Sequence, residues 1–140
     1  MSSSNRLTGT IPSTIGNCDK LEILWLNSNP RLTGPIPSEI GELTVLEDLF
    51  LNRDALFGTL PSEIGLMVNL RTLALEQNVG LRGNLPTELA QLRSLDKITL
   101  GRTGLSGPIP EDVCRVHEDA LKFDCTVNFC GCGDCQCPAL

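Results

Sequence analysis

The sequence predicts an α/β repeat protein in which short strands alternate with short helical turns and successive units stack on one another. Two observations support this fold class. A leucine that opens each unit recurs every 24 or 25 residues, and a Leu-x-Gly-x-Leu/Ile-Pro motif recurs at the same interval. Regular spacing of this length indicates a stacked array. The opening leucines are Leu21, Leu46, Leu70 and Leu95, and the second motif begins at Leu7, Leu32, Leu56, Leu81 and Leu105.

Each unit contains a strand whose side chains alternate between the core and solvent. In LEDLFL (46–51), Leu49 and Leu51 point inward while Asp48 and Phe50 point outward. A single unit cannot bury its own leucines, so stacking of the units supplies the core. The corresponding inward pairs in the other units are Leu24 and Leu26, Leu73 and Leu75, and Ile98 and Leu100.

The second motif predicts a sharp turn followed by a short helix. Its glycine, Gly34 in one unit, suits a positive φ, and the proline three residues later prevents an earlier helix start. Ser38 and Glu39 then read as an N-cap and a first-turn carboxylate. The same pattern recurs at Ser62 and Glu63 and at Thr87 and Glu88, so we interpret this acidic column as capping.

Four segments resemble plant-type leucine-rich repeats over about residues 5–113. They are LEILWLNSN, LEDLFLNRD, LRTLALEQN and LDKITLGRT, each followed by LxGxxP and then by IG or a near variant. The resemblance implies a right-handed solenoid with a parallel β-sheet on the concave face and short 3-10 or helical turns on the convex side. It also implies an asparagine column that hydrogen-bonds adjacent turns, from which Asp54 and Thr103 depart; the column is Asn29, Asp54, Asn78 and Thr103.

The predicted organisation is a repeat region at 1–113, with about four full units and an incomplete first one, and a Cys-rich C-terminal cap at 114–140. The cap loosely resembles those of secreted algal leucine-rich-repeat proteins. We expect disulfides among its six cysteines, Cys114, Cys125, Cys130, Cys132, Cys135 and Cys137. A zinc site formed by the last four is the alternative.

A seventh cysteine stands apart from the others. Cys18 occupies the slot that Leu43, Met67 and Leu92 fill in later units. We therefore expect a buried free thiol that packs as a small hydrophobe. The alternative is a reactive or intermolecular cysteine, which needs exposure and a nearby cation.

Composition and motifs exclude several function classes. The net charge of −6 disfavours nucleic acid as a partner, and no apolar run is long enough for membrane insertion. No catalytic or phosphate-binding motif occurs, and a single histidine limits acid–base chemistry, so we expect no enzyme and no cofactor. Met1 to Asn5 lack the apolar core of a signal peptide, yet the clustered cysteines favour an extracellular or secretory location with the signal outside this sequence.

The outward strand positions are the predicted binding site. They vary between units, and two of them place large aromatic side chains, Trp25 and Phe50, side by side next to Ile23. Exposed aromatics beside polar groups commonly anchor protein or glycan contacts. We predict a ligand-binding centre at Ile23, Trp25, Phe50, Asn27, Asn52 and Arg53. The alternative is that the two rings only cover one another, or that an upstream unit shields them.

The resemblance implies recognition of another protein, a peptide or a saccharide, as in receptor ectodomains and secreted inhibitors of cell-wall enzymes. We expect a non-catalytic extracellular module that is a fragment of a longer protein. One alternative is a structural subunit that associates through its uncapped N-terminal edge. Ice binding is disfavoured because the outward threonines, Thr72 and Thr99, lie in different columns.

Overall fold

The structure is a computed structural model that describes residues 6–116 and 122–123. Within them the chain forms an α/β leucine-rich solenoid, as the sequence predicts. Each full coil contributes one strand to a concave sheet, one strand to a second sheet and one short 3-10 turn. Each face of the solenoid is therefore built from equivalent positions of successive coils.

The concave sheet is parallel, and its strands lie in the order β10-β8-β6-β4-β2. Its register aligns the inward side chains, so that Leu24 lies opposite Leu49, Leu49 opposite Leu73, and Leu73 opposite Ile98. The outward side chains between them are aligned in the same way. The strands are β2 (Ile23–Trp25), β4 (Asp48–Phe50), β6 (Thr72–Ala74), β8 (Lys97–Thr99) and β10 (Lys122–Phe123).

A second parallel sheet occupies the segments that the sequence analysis interpreted only as turns. The expected positive φ is present, for example +89° at Gly34, but the residues before the glycine pair with the neighbouring coils. Each of these strands overlaps the second motif, whose glycine and proline indicate a turn and not a strand. They are β1 (Thr8–Thr10), β3 (Arg31–Gly34), β5 (Ala55–Gly58), β7 (Gly80–Gly83) and β9 (Gly104–Leu105).

The convex side carries 3-10 turns, and their predicted side-chain caps were wrong. Pro37 occupies the N-cap position, with no side-chain cap hydrogen bond, and Ser38 Oγ lies 3.3 Å from Glu39 Oε2 instead. Because the turn begins at the serine, the hydroxyl lies one residue beyond the position from which it could cap. Glu39 does lie in the first turn, as predicted. The turns are Ser13–Asn17, Ser38–Glu42, Ser62–Leu66 and Thr87–Gln91.

The coils pack closely enough to explain the glycine of the IG motif. A Cβ placed on Gly65 would lie 2.6 Å from the backbone oxygen of Glu88 in the next coil. No side chain is tolerated at that distance without a shift of backbone. The inward leucines of the central coils are fully buried, Leu49 and Leu73 among them, which confirms the predicted core.

The polar column inside the solenoid links successive coils, as the resemblance implies. Asn78 Nδ2 donates to the carbonyl oxygens of Leu51 and Leu75 at 2.7 and 2.9 Å, and Asn78 Oδ1 accepts from Leu56 N at 3.2 Å. Asn29 accepts from Leu7 N at 3.0 Å. Three of these four bonds join neighbouring coils, because their partners lie 22 or 27 residues apart in the sequence, and the fourth lies within one coil.

Asp54 interrupts this column. Its Oδ1 accepts from Asn29 N at 2.6 Å, but the buried Oδ2 has no hydrogen-bond partner among the described residues. A carboxylate cannot donate, so it cannot repeat the bonds that Asn78 makes to carbonyl oxygens. Burial, partly offset by the Asn29 hydrogen bond, raises the pKa of Asp54 to about 7. Thr103 departs differently, since its hydroxyl donates to Leu100 O at 2.7 Å.

The predicted burial of Cys18 was wrong, because the structure places it at the surface. Leu43, Met67 and Leu92, which occupy the equivalent slot, are fully buried between coils. Cys18 belongs to the first coil that the structure describes, so only one described coil packs against it. The analogy between repeats therefore fails at this position.

At the other end, a short helix replaces the 3-10 turn. Helix α1 (Glu111–Val116) runs across residue 113, where the sequence predicts the boundary of the cap, and Val113 is buried. Strand β10 then pairs with β8. Cys125, Cys130, Cys132, Cys135 and Cys137, and the side chain of Cys114, lie outside the described part, so their disulfides stay a prediction.

Candidate binding face on the concave sheet

The outward side chains of the concave sheet form two aligned rows. The register places Trp25 opposite Phe50 and Phe50 opposite Ala74. Neighbouring strands lie about 4.8 Å apart, and residues i and i+2 of one strand about 6.6 Å apart, so the rows form a continuous surface. The rows are Ile23, Asp48, Thr72 and Lys97, and Trp25, Phe50, Ala74 and Thr99.

The two predicted aromatics touch, but one of them stays largely open to solvent. The ring centroids of Trp25 and Phe50 are 6.0 Å apart and the ring planes meet at 74°, an edge-to-face pair. The contact leaves Phe50 half-buried and Trp25 66% exposed. The contact with Phe50 therefore does not cover Trp25, contrary to the alternative that the two rings only shield one another.

Ile23 extends the aromatic pair into an apolar patch. It is two residues before Trp25 on β2 and is 48% exposed. An isoleucine, a tryptophan and a phenylalanine on adjacent outward positions form a larger apolar surface than scattered single residues would. We call Ile23, Trp25 and Phe50 the aromatic patch.

The predicted polar members of the site border this patch. Asn27 and Asn52 are half-buried, and the hydrogen-bond ladder continues past the strand ends to hold them at equivalent positions, with Ser28 N donating to Asn52 O at 2.9 Å. Asn27 Nδ2 lies 3.4 Å from Ser28 Oγ. Amide groups in this position can donate to and accept from a bound backbone.

Arg53 lies at a backbone feature that the sequence did not reveal. Its φ is +63°, in the left-handed region, and its exposed side chain lies at the exit of β4. Arg53 N donates to Glu76 O at 2.9 Å, which ties this conformation to the next coil. No glycine marks the position, so the sequence carried no signal for it. The other non-glycine residues with positive φ are Ser28, Gln77 and Arg102.

Acidic side chains that were not predicted as members of the site lie around the patch. Asp48 lies between Ile23 and Thr72 in the outward row, and Glu22 and Glu47 are exposed at the entrance to β2 and β4. Within residues 6–116 and 122–123, none of these three carboxylates forms an ion pair. Glu47 lies one strand away from Arg71, but the Arg71 guanidinium bonds to Asp96 instead.

The opposite half of the face contains two contacts between polar side chains. Arg71 Nη2 and Nε each lie 3.1 Å from Asp96 Oδ2, and Thr99 Oγ1 donates to Glu76 Oε2. Ala74, which takes the place of an aromatic, is buried. In the two outward rows, strands β6 and β8 carry no large apolar side chain and no carboxylate.

No group of three or more potential metal ligands occurs among the residues that the structure describes. The strongly shifted carboxyl group, Asp54, lies in the internal column and not on the concave surface. In the same part of the chain, no helix is both long and apolar enough to cross a membrane.

Comparison with known proteins identifies the family. A family model described as Leucine Rich Repeat matches residues 20–43. A chain from the BIR3–SERK2 complex of Arabidopsis thaliana is 32% identical, with a TM-score of 0.72, and the match covers 93% of this chain and 70% of that one. This chain belongs to the plant-type leucine-rich-repeat family.

Other solved structures that are similar to this chain are larger than it. The plant peptide hormone receptor RGFR1 in complex with RGF2 is 38% identical with a TM-score of 0.80, and the match covers 85% of this chain but only 19% of the receptor. A plant ice-binding protein is 34% identical with a TM-score of 0.68, at 76% and 34% coverage. None of the curated proteins matches this chain. The chain thus spans about a fifth of the RGFR1 chain.

Proposed function

We propose that this leucine-rich-repeat chain is a non-catalytic recognition module, extracellular in location, that binds a protein or peptide on its concave face. The observation that carries the proposal is the exposed edge-to-face pair of Trp25 and Phe50 beside Ile23. Tryptophan and other large side chains at the centre of an interface contribute most of the binding free energy in typical complexes. The half-buried Asn27 and Asn52 supply hydrogen-bonding groups at the edge of the patch.

The similar structures support a protein or peptide partner. RGFR1 is described in complex with RGF2, and HAESA in complex with the peptide hormone IDA and the co-receptor SERK1. HAESA is 33% identical, with a TM-score of 0.75. We transfer only the partner class to this chain, because it spans a fifth of each of those receptors.

Two other functions have less support. Saccharide binding has no specific observation in its favour. Ice binding needs a regular flat array, whereas the outward column of Trp25, Phe50, Ala74 and Thr99 mixes sizes and chemistry.

Association through the amino-terminal edge is a separate prediction. Light scattering tests it, and a monomer at every concentration contradicts it.

The test is a binding selection with matched variants. The 140-residue chain is used to select binders from a displayed peptide library, and each selected peptide is retested on Trp25→Ala/Phe50→Ala. We expect binding to fall at least about 100-fold, because two central anchors are removed. The control is Leu66→Ala/Val68→Ala, which removes two exposed apolar side chains outside the concave sheet. Circular dichroism confirms that both variants fold.

The control variant distinguishes binding at the aromatic patch from non-specific binding to exposed apolar side chains. Selected peptides that bind equally well to both variants contact a surface other than the aromatic patch. That result would contradict the proposed site. Loss of binding in the Leu66 and Val68 variant alone would move the site to the side of the solenoid.

A further inference from the structure

The concave face is electrically uneven from one end to the other. Around strands β2 and β4 it carries three carboxylates, Glu22, Glu47 and Asp48, against one guanidinium, Arg53. Around β6 and β8 the balance reverses, with three cations against two carboxylates, and two of those charges neutralise each other as Arg71 and Asp96. The free negative charge is therefore concentrated beside the aromatic patch.

The register brings this charge and the aromatic rings within reach of a single ligand side chain. Asp48 is two residues before Phe50 on the same strand and pairs directly with Ile23 on the next. Those positions are separated by about 6.6 Å and about 4.8 Å in a parallel sheet. A side chain placed over the patch therefore meets an aromatic face and a carboxylate together.

The chemistry of such a position favours a cation with an apolar stem. A guanidinium or ammonium group is attracted to the face of tryptophan within about 6 Å of the ring centroid. The methylene groups of arginine or lysine pack against apolar surface while the charge stays near water and a carboxylate. The edge-to-face contact uses one side of the Trp25–Phe50 pair and leaves Trp25 66% exposed for a ligand.

We infer that the amino half of the concave face, formed by the aromatic patch with Glu47 and Asp48, binds a basic side chain, arginine or lysine, of a partner peptide. This inference rests on the proposed function and specifies the chemistry of its ligand. The charge of the whole chain, −6, attracts the same class of peptide over longer distances. An acidic or phosphorylated peptide meets three unpaired carboxylates here and is disfavoured.

The first test measures the charge around the patch without any ligand. Trp25 is the single tryptophan and the chain has no tyrosine, so its fluorescence reports one site. Quenching by Cs⁺, I⁻ and neutral acrylamide is compared with quenching of free N-acetyltryptophanamide. We expect Cs⁺ to quench Trp25 more strongly, relative to I⁻, than it quenches the free compound, because the local potential is negative.

A matched pair of variants assigns the potential to the named carboxylates. Glu47→Gln/Asp48→Asn removes two charges beside the patch, and Glu63→Gln/Glu88→Gln removes two from the convex turns. The first variant should bring the Cs⁺ to I⁻ ratio close to that of the free compound, and the second should leave most of the difference. Equal effects of both variants would assign the result to net charge and overturn the local site.

The second test uses defined peptides. Three nine-residue peptides share leucines on both sides of a central residue that is arginine, citrulline or glutamate. Binding to the 140-residue protein is followed by Trp25 fluorescence and by amide chemical shifts. We expect the arginine peptide to bind about tenfold more tightly than its neutral citrulline isostere. That ratio should fall to about two- to threefold in Glu47→Gln/Asp48→Asn, where the face of Trp25 alone still favours the cation, and persist in Glu63→Gln/Glu88→Gln.

The outcomes separate this inference from the proposed function. Equal affinity for the arginine and citrulline peptides, preference for glutamate, or no binding by the arginine peptide overturns the cationic ligand. Whether the chain is a recognition module is then decided by the binding of the selected peptides to the natural chain and to Trp25→Ala/Phe50→Ala. A preference for arginine that about 0.5 M salt abolishes, while citrulline binding is unchanged, supports the inference.

Discussion

The two halves of the concave face share one backbone and differ in what their outward side chains leave unsatisfied. Strands β2 and β4 present an exposed indole and carboxylates without ion pairs, whereas β6 and β8 present Ala74, Thr99 and the Arg71–Asp96 pair. Inward, Leu49 and Leu51 in one half and Leu73 and Leu75 in the other are all fully buried. The repeat therefore fixes the scaffold, and any recognition specificity lies in the outward positions.

The largest expected effect tests whether the inward side chains of the two halves contribute equally to stability. Leu49→Ala and Leu73→Ala each remove a fully buried side chain from the same layer, one in each half. We expect each to lower the free energy of unfolding by about 3–4 kcal/mol, because a buried leucine is replaced by a cavity. Urea denaturation measures both, and a difference of more than about 2 kcal/mol between them would show that the two halves are not one scaffold.

The second prediction concerns the outward side. Trp25→Ala should weaken a selected peptide by about 2 kcal/mol, or about 30-fold, whereas Thr99→Ala in the same row should change its affinity less than about twofold. The indole is exposed for a ligand, while the Thr99 hydroxyl is already bonded to Glu76. Titration calorimetry on the folded variants measures both values. A larger loss for Thr99→Ala would reverse the comparison.

The third prediction concerns Asp54, the interrupted position of the internal polar column beneath strands β2 and β4. In the folded chain the pKa of Asp54 is raised to about 7 from 3.8, so the folded state holds its proton more tightly than the unfolded state. Its contribution to stability is therefore present below about pH 3.8 and is lost as the pH rises to about 7. At pH 8 a buried carboxylate then remains with Oδ2 unpartnered.

Asp54→Asn restores the donor that Asn78 uses in the same column. We expect the variant to be more stable than the natural chain by roughly 1–3 kcal/mol at pH 8, and by little at pH 4. Chemical denaturation of both proteins across this range measures the difference. The control is Asn78→Asp, which should create the same pH dependence in the other half. A constant difference at all pH values would contradict the assignment to Asp54.

The smallest expected effect concerns the paired charges of β6 and β8. Arg71 and Asp96 are both more than half exposed, so solvent screens their ion pair. A double-mutant cycle with Arg71→Ala and Asp96→Ala should give a coupling energy of about 0.5 kcal/mol that decreases with salt. Coupling above about 2 kcal/mol would mean that this half is held together far more strongly than exposed pairs allow.

Repetition explains why the fold was predictable from sequence. Five copies of the second motif and four opening leucines specify the strands, the turns and the core, because equivalent residues must occupy equivalent places in stacked coils. Repetition fails where the environment differs. Cys18 has a described coil on one side only, and Ser38 follows a proline that already occupies the N-cap. The second sheet was missed because each of its strands overlaps the Leu-x-Gly motif, whose glycine and proline indicate a turn.

The candidate site was predicted only in part. The alternation of the strand placed Trp25 and Phe50 together, and the structure shows them in contact. The partner choice of Arg71, which bonds to Asp96 and not to Glu47, is not encoded in any local pattern. Because Arg71 bonds to Asp96, Glu47 and Asp48 form no ion pair within the described part of the chain, and only the folded face reveals this.

The most direct measurement of the central claim is the accessibility of Trp25 in the complex. A selected peptide is added to saturation, and acrylamide quenching of this single tryptophan is compared with and without it. If the partner covers the aromatic patch, the quenching constant should fall several-fold from its value for a 66% exposed indole. An unchanged quenching constant at saturation would show that the partner binds elsewhere and would contradict the account.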